Sequence, residues 1–318
     1  MYKDKKDLIS IKDLSRGDIE EIFTTSRAFK EVIARSNKKV PALRGRTVIN
    51  LFYEPSTRTK SSFEIAGKRL SADVINFSAS TSALKKGESL LDTARNLEAM
   101  MPDILVVRHA HSGAVRYLAD RLASSVLNAG DGQNEHPTQA LLDAFTLHER
   151  GFDFTGKHFA IVGDIVHSRV AKSNIFCLRA LGARVTVVAP PTLMPPFVQE
   201  LPAASRYDLD PLLPEVDVIM MLRVQFERHQ GKRFPTIREY ASLYGLNRAR
   251  ARKLPDHAVI MHPGPINRGI ELDPEVADGP RSVILDQVTH GVALRMALLY
   301  LFAGHKAKSA ASREENVS

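Results

Sequence analysis

The chain has 318 residues, of which 44% are hydrophobic and 25% charged, and 44 Lys and Arg against 36 Asp and Glu leave a net charge of +8. Those values exclude whole-chain disorder and a collagen-like repeat, and the length favours two domains over one. A single cysteine, Cys177, excludes an internal disulfide and a multi-cysteine zinc site, and fits a reducing cytoplasm.

The N-terminus, MYKDKKDLIS, is charged and lacks the apolar core of a signal peptide. Ser15 is placed to cap a helix that runs to about Arg35. A strand follows at 47–52, and a helix after Ser56 sets Phe63, Ala66, Gly67 and Leu70 on one stripe. Strands at 73–77 and 103–107 come next. A helix opening at His136-Pro137 then aligns Leu141, Phe145 and His148. Turn-forming residues at 150–156 mark the expected domain boundary. Beyond it lie strands at 158–162, 184–188, 216–221 and 257–261. The last helix, about 287–303, carries Val288, Val292, Met296 and Leu299 and must bury them. Its apolar run 292–304 holds Arg295 and is too short to span a membrane. The tail 306–318 has little apolar content and is expected to fray. Strands alternating with helices predict an α/β protein of two domains, each a parallel sheet flanked by helices.

Five strand ends carry the chemistry. Ser56-Thr57-Arg58-Thr59 sits between a strand and a helix, where uncapped N–H groups and the helix dipole favour an anion; the plainer alternative is an ordinary cap with an exposed arginine. His136 and Gln139 share one face of a helix start, where ligands of open α/β sheets bind; a capping histidine with a solvated glutamine is the alternative. Ser168 can cap the next helix and leave Arg169 in its first turn, against the dipole. Arg223, with Gln225 just beyond, ends an apolar strand and needs a partner, either a protein carboxylate or a ligand. His262-Pro263-Gly264-Pro265 holds its carbonyls as fixed acceptors or is a plain turn. Taken together, the set predicts a site for two anions, one per domain. It lacks an acidic pair for Mg²⁺, a His/Cys spacing for zinc, a GxGxxG nucleotide motif and a GxSxG nucleophile. The basic stretch 223–253 admits a nucleic-acid reading, but no binding signature accompanies it, and a solvated loop explains it as well.

Ser56-Thr57-Arg58-Thr59, His136-Pro137-Thr138-Gln139 and His262-Pro263-Gly264-Pro265 resemble the carbamoyl phosphate signature of the aspartate/ornithine carbamoyltransferase family, in order and spacing, from about residue 8 to 303. The resemblance implies a carbamoyl phosphate-binding domain at 1–150 joined by the C-terminal helix of about 287–305, and an aspartate-binding domain at 151–286. It implies that Ser56, Thr57, Arg58 and Thr59 hold the phosphate and that Arg108 bridges phosphate and carbonyl. Thr59, Arg108 and His136 would polarise the carbonyl, while Gln139 and the carbonyls of Pro263 and Gly264 take the carbamoyl NH₂. Arg169, Arg223 and Gln225 would bind the acceptor. The loop lacks the cysteine of the ornithine branch, and two guanidiniums suit the two carboxylates of aspartate and would repel ornithine. Glu54 and Arg228 resemble residues that stabilise a closed state. Ser82 and Lys86 resemble a loop inserted into the neighbouring subunit's site, which implies a homotrimer. No cofactor, metal or membrane is implied, and further assembly with regulatory chains or dihydroorotase is left open. Two positions depart from the family pattern, Lys60 where arginine is common and Gly264 where some members carry leucine.

Overall fold

The computed structural model describes residues 5–78, 87–225 and 236–303. The chain forms two compact units, one from residues 1–145 and 289–318 and one from residues 146–288.

In the first unit β1 (Thr47–Phe52), β2 (Asp73–Ser78), β3 (Ile104–His109) and β4 (Ser125–Asp131) form a parallel sheet in the order β2-β1-β3-β4. The β-branched runs put Val48, Ile49, Leu105, Val106 and Val107 out of solvent, each side chain contributing about 1.5–3 kcal/mol. The sequence reading missed β4. Its weakly patterned SVLNAGD is buried at every residue, although β4 ends the sheet. The N-terminal segment explains this. Leu8 forms a parallel bridge to Leu127, its N–H donating to the Val126 carbonyl and its carbonyl accepting from Asn128. A covered edge needs no polar face.

The helices of this unit are α1 (Arg16–Ala34), α2 (Thr57–Arg69), α3 (Leu90–Glu98), α4 (Ala114–Ala119) and α5 (Pro137–His148). Ser15 and Asp18 form a reciprocal capping box that starts α1. On α2, Phe63, Ala66, Gly67 and Leu70 are all buried, as their spacing predicts. Gly67 permits close approach to β2, because a Cβ there would lie 2.5 Å from Val74 Cγ2. α5 is buried on every side from Pro137 to Leu147, beyond the single stripe expected.

In the second unit β5 (His158–Val162), β6 (Arg184–Val188), β7 (Ala204–Arg206), β8 (Val218–Met221) and β9 (Val259–Met261) form a parallel sheet ordered β7-β6-β5-β8-β9. The sequence reading also missed β7, three exposed residues with no apolar pattern. The helices are α6 (Arg169–Ala180), α7 (Ile237–Tyr244), α8 (Arg248–Ala251) and α9 (Pro274–Ala277). α10 (Ile284–Ala303) then returns the chain to the first unit. Met296 and Leu299 are buried there, and the Phe302 carbonyl accepts from Ser125 Oγ at 3.0 Å. Val288 departs from expectation. It lies in the first turns of the helix and is 60% exposed. The expected tail 306–318 lies outside the described residues.

Candidate active site

In the first unit the candidate residues follow three adjacent strands. β1 leads through Glu54 and Pro55 to Ser56, the cap residue of α2. Its side chain makes no capping bond, contrary to the expected cap, so the hydroxyl is not spent on the first-turn N–H groups. Those groups and the dipole make the start of α2 attractive to an anion. Thr57 and Arg58 are exposed at this end, and Thr59 is buried. Arg108 sits on β3 in register with Phe52, the last residue of β1. Its Nη1 donates to the Ala129 carbonyl at 3.2 Å and its Nη2 to Glu54 Oε1 at 3.1 Å.

At the end of β4, Asp131 ties the following loop together. Its carboxylate accepts from the N–H groups of Gly113 (2.8 Å) and Glu135 (3.1 Å) and from Asn128 Nδ2 (2.9 Å). Gly132 has φ +52, and a Cβ there would lie 2.5 Å from the Ser112 nitrogen, so the turn needs glycine. Glu135 reaches the N-terminal segment, accepting from Ser10 Oγ and from the Ile11 N–H. His136 emerges from this braced loop, 3% exposed, just before Pro137 opens α5. One turn on, Gln139 Nε2 donates to Asp143 Oδ1 at 2.9 Å. A carboxylate only accepts, so the amide must turn its NH₂ to Asp143 and leave Oε1 as an acceptor.

In the second unit, Asp164 follows β5 and is wholly buried. It accepts from His167 N–H (3.2 Å), His167 Nδ1 (2.8 Å) and Gln225 N–H (3.4 Å). Gln225 Nε2 in turn donates to the His167 carbonyl at 3.2 Å. The loops after neighbouring strands β5 and β8 are thus tied to each other. Ser168 caps α6 by accepting from the Ala171 N–H, as expected. Arg169 stands in the first turn, 6% exposed, and Arg223 is half-buried just past β8.

After β9, His262 Nδ1 accepts from the Gly264 N–H at 2.8 Å. Its Nε2 therefore carries the proton and faces Glu271 Oε1 at 3.3 Å, with both side chains fully buried. Glu271 also accepts from the Asn267 N–H. The bonds from the Gly264 and Asn267 N–H groups hold the loop, and the φ of +69 at Gly264 suits glycine. Among the described residues the carbonyls of Pro263 and Gly264 accept no hydrogen bond.

Residues 6–149 match the family model described as aspartate/ornithine carbamoyltransferase, carbamoyl-P binding domain, and residues 155–302 match its Asp/Orn binding domain. The chain belongs to the aspartate/ornithine carbamoyltransferase family. Within this family it is 57% identical over 302 residues to the aspartate carbamoyltransferase catalytic subunit of Halothermothrix orenii, covering 95% of this chain and 96% of that one. It is 55% identical over 304 residues to the catalytic subunit of Syntrophus aciditrophicus, covering 96% and 99%. Among solved structures it resembles aspartate transcarbamoylase from Trypanosoma cruzi in complex with carbamoyl phosphate and aspartate, with a TM-score of 0.82, 32% identity and coverage of 93% and 96%. The same enzyme in complex with carbamoyl aspartate and phosphate gives a TM-score of 0.85 at 32% identity, with coverage of 93% and 95%.

The structure brings Glu54, Ser56, Thr57, Arg58, Thr59, Arg108, His136 and Gln139 to the first unit, and Arg169, Arg223, Gln225, Pro263 and Gly264 to the second. Ser82, Lys86 and Arg228 lie outside the described residues. Sequence reasoning gave no role to Asp131, Asp143, Asp164, His167 or Glu271. Asp164 and His167 did leave a signal, an Asp and a His three apart directly after a strand. Asp143 left another, four residues beyond Gln139 on one helix face. Part of the basic stretch is spent internally. Arg250 and Lys253 both pair with Asp210, and Arg248 pairs with Glu275. Among the described residues no group of three or more His, Cys, Asp or Glu is placed to hold a metal ion, and no helix is long and apolar enough to cross a membrane.

Proposed function

We propose that this chain transfers the carbamoyl group of carbamoyl phosphate to the α-amino group of L-aspartate, giving N-carbamoyl-L-aspartate and phosphate. The observation that carries the reading is the placement of Arg58, Arg108 and His136 at the carboxyl ends of β1, β3 and β4, three neighbours in one sheet, beside an uncapped helix start. The relatives named as aspartate carbamoyltransferases, and the complexes of a structural relative with carbamoyl phosphate and aspartate, support the choice of substrates.

In this reading the first unit binds carbamoyl phosphate. Ser56, Thr57, Arg58 and Thr59 hold the phosphate, and Arg108 bridges phosphate and carbonyl oxygen. Gln139 Oε1 and the carbonyls of Pro263 and Gly264 accept from the carbamoyl NH₂. The second unit binds aspartate through Arg169, Arg223 and Gln225, one guanidinium for each carboxylate. The α-amino group must be neutral to attack the carbamoyl carbon. Its lone pair forms the C–N bond, the carbonyl oxygen takes the negative charge, and collapse re-forms the carbonyl and expels phosphate, which takes up the proton that the amine loses. Thr59, Arg108 and His136 aim donors at that oxygen, and losing one such donor costs about 10²–10³ in rate. Holding two anions in attack geometry supplies much of the remainder. Glu54 and Arg228 are assigned to a closed state, and Ser82 and Lys86 to a neighbouring subunit's site in a homotrimer acting in the cytoplasm at an early step of pyrimidine synthesis.

The deciding experiment is mass analysis of products from carbamoyl phosphate with aspartate and, separately, with ornithine. N-carbamoyl-L-aspartate is expected from the first and no product from the second. Citrulline formation without carbamoylaspartate would overturn the acceptor.

A further inference from the structure

We propose that the second unit carries a separate anion site, suited to a small molecule bearing a di- or triphosphate, in a cavity between β5, β6, β7 and the 3-10 turn Asp210–Glu215. The cavity has a volume of about 470 Å³ and is lined by Arg179, Arg184, Arg206 and His158, with Glu215 the one acidic residue of the lining. That volume lies within the ordinary range of small-molecule pockets.

The register explains why these groups meet. His158 pairs with Arg184 across β5 and β6, and Thr186 pairs with Ala204 across β6 and β7. Side chains alternate along a strand, so His158, Arg184, Thr186, Ala204 and Arg206 stand on one face of the sheet edge. Arg179 reaches the cavity from the last turn of α6, its Nη1 anchored on the Ala183 carbonyl at 2.9 Å. Arg184 Nε is held by the Gly156 carbonyl at 3.3 Å. Among the described residues none of the three guanidiniums pairs with a carboxylate, whereas elsewhere on the chain Arg46, Arg108, Arg116, Arg150, Arg248, Arg250 and Arg268 each do.

His158 lines the cavity. It is only 6% exposed, and its Nε2 meets Thr186 Oγ1 at 2.8 Å. Its Nδ1 is buried without a hydrogen bond of good geometry, although the Glu215 backbone is near. Three forked cations around one hollow match several phosphate oxygens better than a single carboxylate does. The cavity is not the substrate site. His158 and Arg184 open β5 and β6, whereas Arg169 follows the far end of β5, about 16 Å along a five-residue strand.

The test is calorimetric titration of inorganic pyrophosphate into the full chain at physiological ionic strength, with Arg58→Ala as background so that the proposed substrate site is silenced. Pyrophosphate is expected to bind the Arg58→Ala protein, and adding Arg184→Gln and Arg206→Gln is expected to weaken that binding at least about tenfold. The Arg184→Gln/Arg206→Gln pair alone should leave carbamoylaspartate formation unchanged. Absence of binding to the Arg58→Ala protein at millimolar pyrophosphate, or identical titrations with and without the two glutamines, would overturn the site. Inorganic phosphate binding as tightly as pyrophosphate would overturn the assigned ligand class. The outcome is separable from the transfer reading, which stands or falls on product analysis of the unaltered chain.

Discussion

Gln139, proposed to accept from the carbamoyl NH₂, shows how a buried neighbour sets the chemistry of a side chain. Its amide nitrogen is held by Asp143, itself 1% exposed. Behind Asp143 lies Arg295, whose guanidinium burial pushes down to about 10, against the opposing pull of the Asp143 carboxylate. Arg295 Nη1 donates to Ser62 Oγ at 2.9 Å, which ties the guanidinium to α2. Acetyl phosphate carries a methyl where carbamoyl phosphate carries NH₂, so it has nothing to donate to Gln139 Oε1. Asp143→Asn lets the amide turn over. It is expected to raise KM for carbamoyl phosphate about tenfold, the worth of one hydrogen bond, while inhibition by acetyl phosphate holds constant. Equal loss for both ligands would mean that Asp143 shapes the whole pocket and not the amide. Arg58→Ala acts differently. It removes the phosphate's charge partner at an exposed position, so turnover should fall by 10²-fold or more, about 3 kcal/mol, with the unfolding midpoint unmoved. Near-normal kinetics in that variant would refute the phosphate site. The residues proposed to bind substrate stood out in the sequence because arginines, hydroxyls and a histidine at strand ends have few structural uses. Their supports did not. Asp131 and Glu271 accept from backbone N–H groups, which a linear sequence does not display, whereas Asp143 was displayed four residues beyond Gln139 and was not weighed.

At the scale of elements, the helix–strand spacing at α2 is set by one missing side chain. Gly67→Ala gains helix propensity of up to about 1 kcal/mol but drives a methyl into Val74, a stiff β-branched neighbour. A net loss of about 1–2 kcal/mol is expected as a lower urea midpoint, and an unchanged midpoint would show that β2 can move aside. α8 is tied to the second unit by charge. Arg250 donates through Nε and Nη2 to Asp210, and Lys253 donates to the other oxygen of the same carboxylate. These hydrogen bonds, Arg250's first, hold the Asp210 pKa down to about 2. A carboxyl whose folded pKa is depressed stabilises the fold above its unfolded pKa and loses that effect as pH falls through the folded value. Asp210→Asn should therefore lower the melting temperature at pH 7, and the gap to the parent should close between pH 4 and pH 2. A gap that persists at pH 2 would locate the effect elsewhere. The elements the sequence hid have physical reasons of their own. β4 is shielded by the N-terminal segment and so lacks alternation, and β7 is held by main-chain pairing to β6 with no apolar alternation to announce it. The return of α10 was expected from the family resemblance and not from periodicity, and α10 does rejoin the first unit from residue 289.

At the scale of the molecule, the family models divide the chain once, near residue 150, whereas the packed units divide it twice, with α10 crossing back. The second unit is thus an insertion within the first, between residues 145 and 289. In the proposed trimer, Lys86 of one subunit serves the site that holds Arg58 of the next. Such an interface is heterologous, and three copies close it into a ring. Every site then needs one intact Arg58 and one intact Lys86 from different chains. Arg58→Ala and Lys86→Ala proteins should each be nearly inactive alone. After dissociation, equal mixing and reassembly, a site is whole when its Arg58 comes from a Lys86→Ala chain and its Lys86 from an Arg58→Ala chain. Random assembly in a closed ring makes about a quarter of the sites whole, so activity should return to about a quarter of the parent value. If Lys86 instead served its own subunit, every chain would carry one defect at its own site, and no mixture would recover activity. Mass-labelled chains verify exchange, and inactivity after verified exchange would rule out the shared site.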